Sequence, residues 1–248
     1  MFNLKTILTI SVTLFALNAV GQQPPTNVLP KFTVDPVEND APWAVEWWRA
    51  RHDEKRERAK STEVDVIFIG DSITHAWENE GAEVWQEYYQ DRNAFNLGFS
   101  GDRTEHLLWR LENGAVDAMK PALAVLMIGT NNAGHRMDPA IYVAEGIERI
   151  VSDLRKRLPK TRVLVVGIFP RHVSPYNEMR RRNDEVNRLI SRLDNGESVH
   201  YLDIGRGFLN EDGTLRRDLM PDLLHPNAAG YRVWAEAMEP TIKRLLQN

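Results

Sequence analysis

Five short runs of consecutive apolar, largely β-branched residues punctuate the chain. They cover residues 64–69, ending at Gly70; 93–97, ending at Gly98; 122–128, ending at Gly129; 162–168; and, more weakly, 198–202. Helical periodicity fills the intervals, over about 74–90, 103–119, 139–158 and 176–193, with a last helix at 226–246 opened by Pro226. A strand wetted on one face alternates apolar and polar residues, whereas a continuous apolar run is covered on both faces. Strand–helix alternation with such runs predicts a parallel sheet between two helical layers. The expected fold class is α/β, a three-layer α/β/α sandwich in one domain.

Ahead of this domain, residues 43–60 read as a helix with Trp43, Trp47 and Ala50 on one face and charged residues around the rest. The preferred reading is a helix that packs its tryptophans on the domain. An aromatic face for sugar is the alternative. Further upstream, Lys5 precedes fifteen uncharged residues (6–20), and Ala19 and Gly21 supply small side chains before Gln22. This pattern predicts a secretory signal cleaved after Gly21, since the apolar run is short for a membrane span. Residues 22–42 hold prolines 24, 25, 30, 36 and 42, five of the chain's 13, and read as an irregular arm. The expected organisation is therefore signal 1–21, proline-rich arm 22–42, N-terminal helix 43–63 and main domain 64–248. The expected location is secreted or periplasmic, with no membrane anchor left after cleavage.

Composition narrows the chemistry. The 248 residues are 42% hydrophobic and include no cysteine, so disulfides, thiolate metal sites and a cysteine nucleophile are excluded. A formal charge of −4 gives no reason to expect a nucleic-acid partner.

In an open parallel sheet, sites form beyond the carboxyl ends of the strands. There the sequence places Gly70-Asp71-Ser72, then Gly98-Phe99-Ser100-Gly101-Asp102, then Gly129-Thr130-Asn131-Asn132; Asp222-Leu223-Leu224-His225-Pro226 precedes the last helix. Ser72, between a strand end and a helix start, is a candidate nucleophile, although a serine there also serves as a helix cap. Of seven histidines, 52, 75, 106 and 200 fall in helices or beside a strand, while His135 and His172 lie beyond strand ends. His225 has a carboxylate, Asp222, three residues earlier, within one turn's reach. Asn131 can offer a side-chain amide, and Gly98 and Ser72 backbone N–H groups, to an oxyanion. Ser72-Ile73-Thr74 lacks the second glycine of the G-x-S-x-G elbow, and neither dinucleotide nor phosphate-loop patterns occur.

These four ordered blocks resemble those of the SGNH, or GDSL-type, esterases and lipases. Within that family the chain is most similar to the catalytic subunits of platelet-activating-factor acetylhydrolase and their bacterial esterase relatives. Residues 101–111 and 167–171 add to the likeness. The resemblance implies a flavodoxin-like sheet of five parallel strands, Ser72 as nucleophile, His225 as base, Asp222 orienting it, and Ser72, Gly98 and Asn131 as oxyanion donors. It also implies no cofactor and no metal. One departure is Asn132, where the family block often ends in aspartate. The expected function is a secreted serine esterase acting on short acyl esters, acetyl above all, of carbohydrates, through an acyl-serine intermediate. The rivals are a lysophospholipase or phospholipid-type acetylhydrolase, a non-catalytic carbohydrate-binding relative, and, last, a metal hydrolase using Asp71, Asp102 and His106. A homodimer is compatible with the resemblance.

Overall fold

The computed structural model describes residues 31–247, so the expected signal and the first part of the proline-rich arm lie outside the described residues. Five strands, β1 (Val66–Gly70), β2 (Ala94–Gly98), β3 (Leu123–Met127), β4 (Arg162–Val166) and β5 (Val199–Leu202), form one sheet in the order β2-β1-β3-β4-β5. Every pairing is parallel. The order reverses between β1 and β3, the switch point where a doubly wound sheet opens a crevice at its carboxyl edge.

Alternate residues of each strand supply two separate cores. Ile67, Ile69, Leu97, Leu126 and Val165 pack under α4 (Thr104–Glu112), α5 (Ala140–Arg157) and α6 (Glu178–Ile190), while Val66, Phe68, Val125, Met127 and Leu164 pack on the other face. That second face is covered by α2 (Ser72–His75), α3 (Ala82–Tyr88) and α7 (Ala228–Gln247), with Trp77, Tyr231 and Trp234 fully buried. Burial on both faces is the physical origin of the unbroken apolar runs.

The helices depart from their expected bounds for local reasons. The expected helix 74–90 is divided into α2, a 3₁₀ turn and α3, with Asn79 and Gly81 breaking the run. Helix α4 ends at Glu112 rather than 119, because Asn113 leaves the helix and Gly114 takes φ 86°. Helix α7 starts at Ala228, since the Asn227 side chain accepts the Gly230 N–H at 3.0 Å and so caps it.

The N-terminal helix α1 (Trp48–Ala59) docks by a different face from the expected one. Ala44 and Trp48 are buried, whereas Trp43 and Ala50 are exposed and Trp47 is half-buried. Residues 42–47 form a turn, not the start of the helix, which shifts the angular phase assumed from a continuous helix beginning at Trp43. Trp48 packs on Phe99 and Trp109, and His52 stacks against its ring. Among the described residues no helix is long and apolar enough to cross a membrane.

Candidate active site

Ser72 is the first residue of α2, immediately after β1. The helix is capped not by Ser72 but by Asp71, whose side chain accepts the Ile73 N–H at 3.0 Å. The serine hydroxyl is thereby released from capping. Its Oγ stands 2.9 Å from His225 Nε2, across 153 residues of sequence. The other ring nitrogen, Nδ1, lies 2.6 Å from Asp222 Oδ2. With Nδ1–H donating to that carboxylate, Nε2 is left as the acceptor for the Ser72 hydroxyl. Asp222 also accepts the backbone N–H groups of His225 at 2.7 Å and Leu224 at 3.0 Å. Partial burial pushes its carboxyl up, but these hydrogen bonds outweigh it and hold the group below the usual carboxylate range. The turn carrying both residues passes through Leu223 in the left-handed region, φ 67°, and is pinned by the His172 N–H donating to Leu223 O at 2.9 Å.

Asn131 follows β3, is buried, and donates its amide Nδ2 to Asp102 O at 2.9 Å, which fixes the amide and leaves its second N–H to spare. Gly98 differs from its expected part. Its N–H donates to Asn96 Oδ1 at 2.7 Å and is already committed. Gly98 is glycine for another reason: a Cβ there would stand 2.2 Å from His75 N, so its small size lets α2 cross the end of β2. Along the following loop, Phe99 N–H donates to Gly70 O, Ser100 N–H to His75 Nδ1 and Asp102 N–H to Phe99 O. Gly101 N–H and Ser72 N–H have no acceptor among the described residues.

Beneath that loop lies a buried polar knot that sequence reasoning did not assemble. Asp102, 0% exposed, accepts Trp48 Nε1–H at 2.6 Å and Arg110 Nε–H at 2.8 Å, and an Arg110 Nη2 contact lies at 2.7 Å. Arg110 also donates to Leu97 O at 3.1 Å and covers the Phe99 ring. Burial pushes the Asp102 carboxyl up to about 6 against the pull of Arg110. Because Asp102 O is the acceptor for Asn131, this knot sets the position of the amide as well as of the loop. The signal available in the sequence was Trp48 four residues before His52, with Arg110 on the inward face of an amphipathic helix.

Among the described residues, none of the remaining histidines bonds to Ser72. His75, pushed down to about 4 by burial and by nearby Arg51, stays neutral, and its Nδ1 faces Ser100 Oγ at 3.0 Å. His52 Nε2 faces Asn113 O, and His106 Nδ1 accepts the Arg103 N–H. His200 Nε2 faces Glu197 O. His135 is exposed, and His172 Nδ1 accepts the Ser174 N–H. Asp71, Asp102 and His106 do not converge as ligands, since both Asp102 oxygens are engaged by Trp48 and Arg110; among the described residues no group of three or more such side chains could hold a metal. Asn132 also has its explanation: its Nδ2 donates to Glu105 Oε2 at 3.1 Å and Asp138 Oδ2 at 3.2 Å. An aspartate there would set a third carboxylate against two.

Asp71 carries a pH-dependent cost. Complete burial pushes its carboxyl up to about 7, opposed by the Ile73 N–H and the His225 and Arg171 charges. A carboxyl raised in the folded state favours folding at low pH, and that advantage is lost progressively as pH rises from the unfolded value near 4 to about 7. Asp71→Asn keeps the acceptor for Ile73 without a charge. Its stability relative to the parent is expected to increase from pH 4 to pH 7 and to level off above. Denaturant midpoints of both proteins across that range measure this, and a difference that is constant with pH contradicts it.

A cleft of about 450 Å³ opens over Ser72 and His225, lined also by Ala76, Glu80, Ser100, Asp222 and Asn227. Residues 68–233 match the model of the GDSL-like lipase/acylhydrolase family. The chain belongs to that family. It is 37% identical over 200 residues to human platelet-activating factor acetylhydrolase IB subunit alpha1, covering 80% of this chain and 84% of the relative. It is 36% identical over 202 residues to the rat alpha2 subunit, covering 81% and 86%. Among solved structures, a GDSL-like lipase of Bacteroides thetaiotaomicron aligns with TM-score 0.63 at 17% identity, covering 79% of this chain and 98% of that one. An acetylxylan esterase of Geobacillus stearothermophilus aligns with TM-score 0.59 at 21% identity, covering 75% and 94%. The protein is a GDSL-type acylhydrolase, a carboxylic ester hydrolase on the expected five-stranded α/β fold.

Proposed function

We propose that the protein is an exported serine esterase that removes short acyl groups, acetyl in particular, from carbohydrate. The observation that carries the chemistry is the unbroken hydrogen-bonded line Ser72–His225–Asp222 at the floor of an open cleft. His225 Nε2 takes the Ser72 proton as Oγ bonds to the ester carbonyl carbon. The imidazolium formed is balanced by Asp222, and the same proton then passes to the leaving alcohol. Water, deprotonated by His225, attacks the acyl-serine, and the proton passes from His225 to Ser72 Oγ as the acid leaves. The oxyanion is met by Ser72 N–H, Gly101 N–H and the spare N–H of Asn131, with Gly101 standing where Gly98 was expected. Asn131→Ala is expected to lower kcat by on the order of 10²–10³ with little change in KM; a loss below about threefold would remove Asn131 from this role.

The substrate class rests on the cleft wall. The cleft beside Ser72 is bordered by the hydroxyl of Ser100, the amide of Asn227 and the carboxylates of Glu80 and Asp222, and its apolar members, Ala76, Pro221 and Pro226, are a small surface for a long acyl chain. Serine, asparagine and carboxylate groups suit the hydroxyls of a sugar. An acetylxylan esterase is built on the same fold, which agrees with this reading. Export rests on the sequence pattern of residues 1–21. The test is a comparison of acetate release from acetylated xylo-oligosaccharides and from an acetyl phospholipid analogue, with p-nitrophenyl octanoate beside the acetate for chain length. Faster turnover of the phospholipid analogue or the octanoate overturns the reading in favour of a lipid ester.

A further inference from the structure

One aromatic side chain, Trp43, is used neither by the core nor by the catalytic line, although its neighbour Trp47 packs partly on the cluster of Ala44, Trp48 and Phe99. Trp43 is 56% exposed, next to exposed Pro42 and Val45. Isolated exposed apolar residues are ordinary, but here three lie together on a turn that is firmly anchored. Ala44, beside Trp43, is fully buried and its N–H donates to Ala41 O at 2.7 Å. The Trp43 carbonyl accepts Trp47 Nε1–H at 3.0 Å. The indole itself leans on the backbone of Gly101, where a Cβ would come within 1.9 Å of Trp43 Cη2 and the chain holds φ 78°. The indole is thus presented to solvent from the 42–47 turn while resting against Gly101 of the loop after β2.

The rings continue toward the cleft. Trp43 and Trp47 have centroids 6.2 Å apart and planes inclined by 31°, and Trp47 and His75 are 5.8 Å apart at 37°. His75 faces Ser100 Oγ at 3.0 Å, and Ser100 lines the cleft with Ser72 and His225. This inclined row of three rings therefore runs from solvent to the cleft wall. His75 stays neutral, pushed down to about 4 by burial and by Arg51, so the inner end of the row carries no charge of its own. The occupant that suits an aromatic row leading to the hydroxyl, amide and carboxylate groups of the cleft has an apolar C–H face and a hydroxyl rim together.

We propose that Trp43, braced by Trp47, is a carbohydrate subsite that stacks on a pyranose ring of the ester's alcohol portion while an acetyl group of the same glycan sits over Ser72. This proposal rests on the carbohydrate reading above and adds a binding site to it. A rigid aromatic anchor gives contact area at little entropic cost, so its removal acts on binding of the extended substrate. The glycine at position 101 then has a further reason, since it admits the ring that the subsite needs.

The experiment compares kcat and KM of the full-length protein, Trp43→Ala and Trp43→Phe on acetylated xylotetraose and on p-nitrophenyl acetate. The expected result for Trp43→Ala is a fall of at least tenfold in the ratio of kcat/KM on the oligosaccharide to that on the small ester, carried by KM. Trp43→Phe, which keeps a ring, is expected to restore most of it. Quenching of tryptophan fluorescence by unacetylated xylotetraose in Ser72→Ala is expected to weaken when Trp43→Ala is added. Parent protein that deacetylates the oligosaccharide while Trp43→Ala leaves the ratio unchanged overturns the subsite alone. Parent protein inactive on the oligosaccharide but active on the acetyl phospholipid analogue overturns the substrate class and the subsite with it. A Trp43→Ala protein that sediments as a smaller species than the parent assigns the ring to a contact between copies and overturns the subsite.

Discussion

Ser72→Ala is expected to reduce kcat on p-nitrophenyl acetate by roughly 10⁵–10⁶-fold while leaving the thermal midpoint close to that of the parent. The magnitude follows from the arrangement. His225 can abstract a proton usefully only from a nucleophile seated at 2.9 Å, and once Oγ is removed the remaining rate comes from the oxyanion donors acting on water. The fold has little stake in the hydroxyl, because the Asp71 carboxylate, not Ser72, caps α2. Stopped assays on freshly purified protein give the rate, and a fluorophosphonate probe that labels the parent and not the variant gives the site. A variant keeping more than a hundredth of the activity would mean that the acyl group is transferred to another residue or directly to water. It would then fall to His225 replacements to identify the base.

The second large effect is structural. Trp48→Ala removes a fully buried indole from between Phe99, Trp109 and His52, and it also takes the Nε1–H donor from Asp102. A buried Trp→Ala change costs about 3–5 kcal/mol. At about 2–4 °C per kcal/mol for a chain of this size, the midpoint is expected to fall by roughly 6–20 °C. Trp48→Phe separates the two contributions. It retains most of the packing but leaves a buried carboxylate one donor short, at about 1–3 kcal/mol. Because Asp102 O holds Asn131, Trp48→Phe is expected to lower kcat as well, and differential scanning calorimetry with parallel kinetics reads both. A midpoint within 2 °C of the parent for Trp48→Ala would show that α1 contributes little to the domain.

How far the sequence could be read follows from where its signals are local. The strands were recognisable to within a few residues because burial on both faces leaves few polar positions to confuse the pattern, β1 and β3 having none and the half-buried β5, with His200, being the weakest. The glycines and polar clusters after β1, β2 and β3 marked the crevice. Ser72, Asp222 and His225 were each weak local signals, a serine at a helix start and a carboxylate three residues before a histidine, and gained weight only as ordered blocks at the strand ends and before the last helix. The docking face of α1 was not legible, since it depends on where the helix begins, and the turn at 42–47 changed that phase. The exchange of Gly98 for Gly101 was illegible for a similar reason. Both are glycines in one loop, and only the hydrogen bond from Gly98 N–H to Asn96 shows which N–H is spent. The link from Trp48 to Asp102 spans 54 residues and leaves no periodic trace.

The sequence separation of 153 positions from Ser72 to His225 has a consequence for the timing of activity. The nucleophile, its strand and the oxyanion loop are all synthesised before the base, which arrives just ahead of the closing helix α7. Contacts of such long sequence separation form late, after the entropy of closing the intervening chain has been spent. A growing or partly refolded chain therefore holds an inert serine, and the first ester it cleaves reports that its final segment has docked.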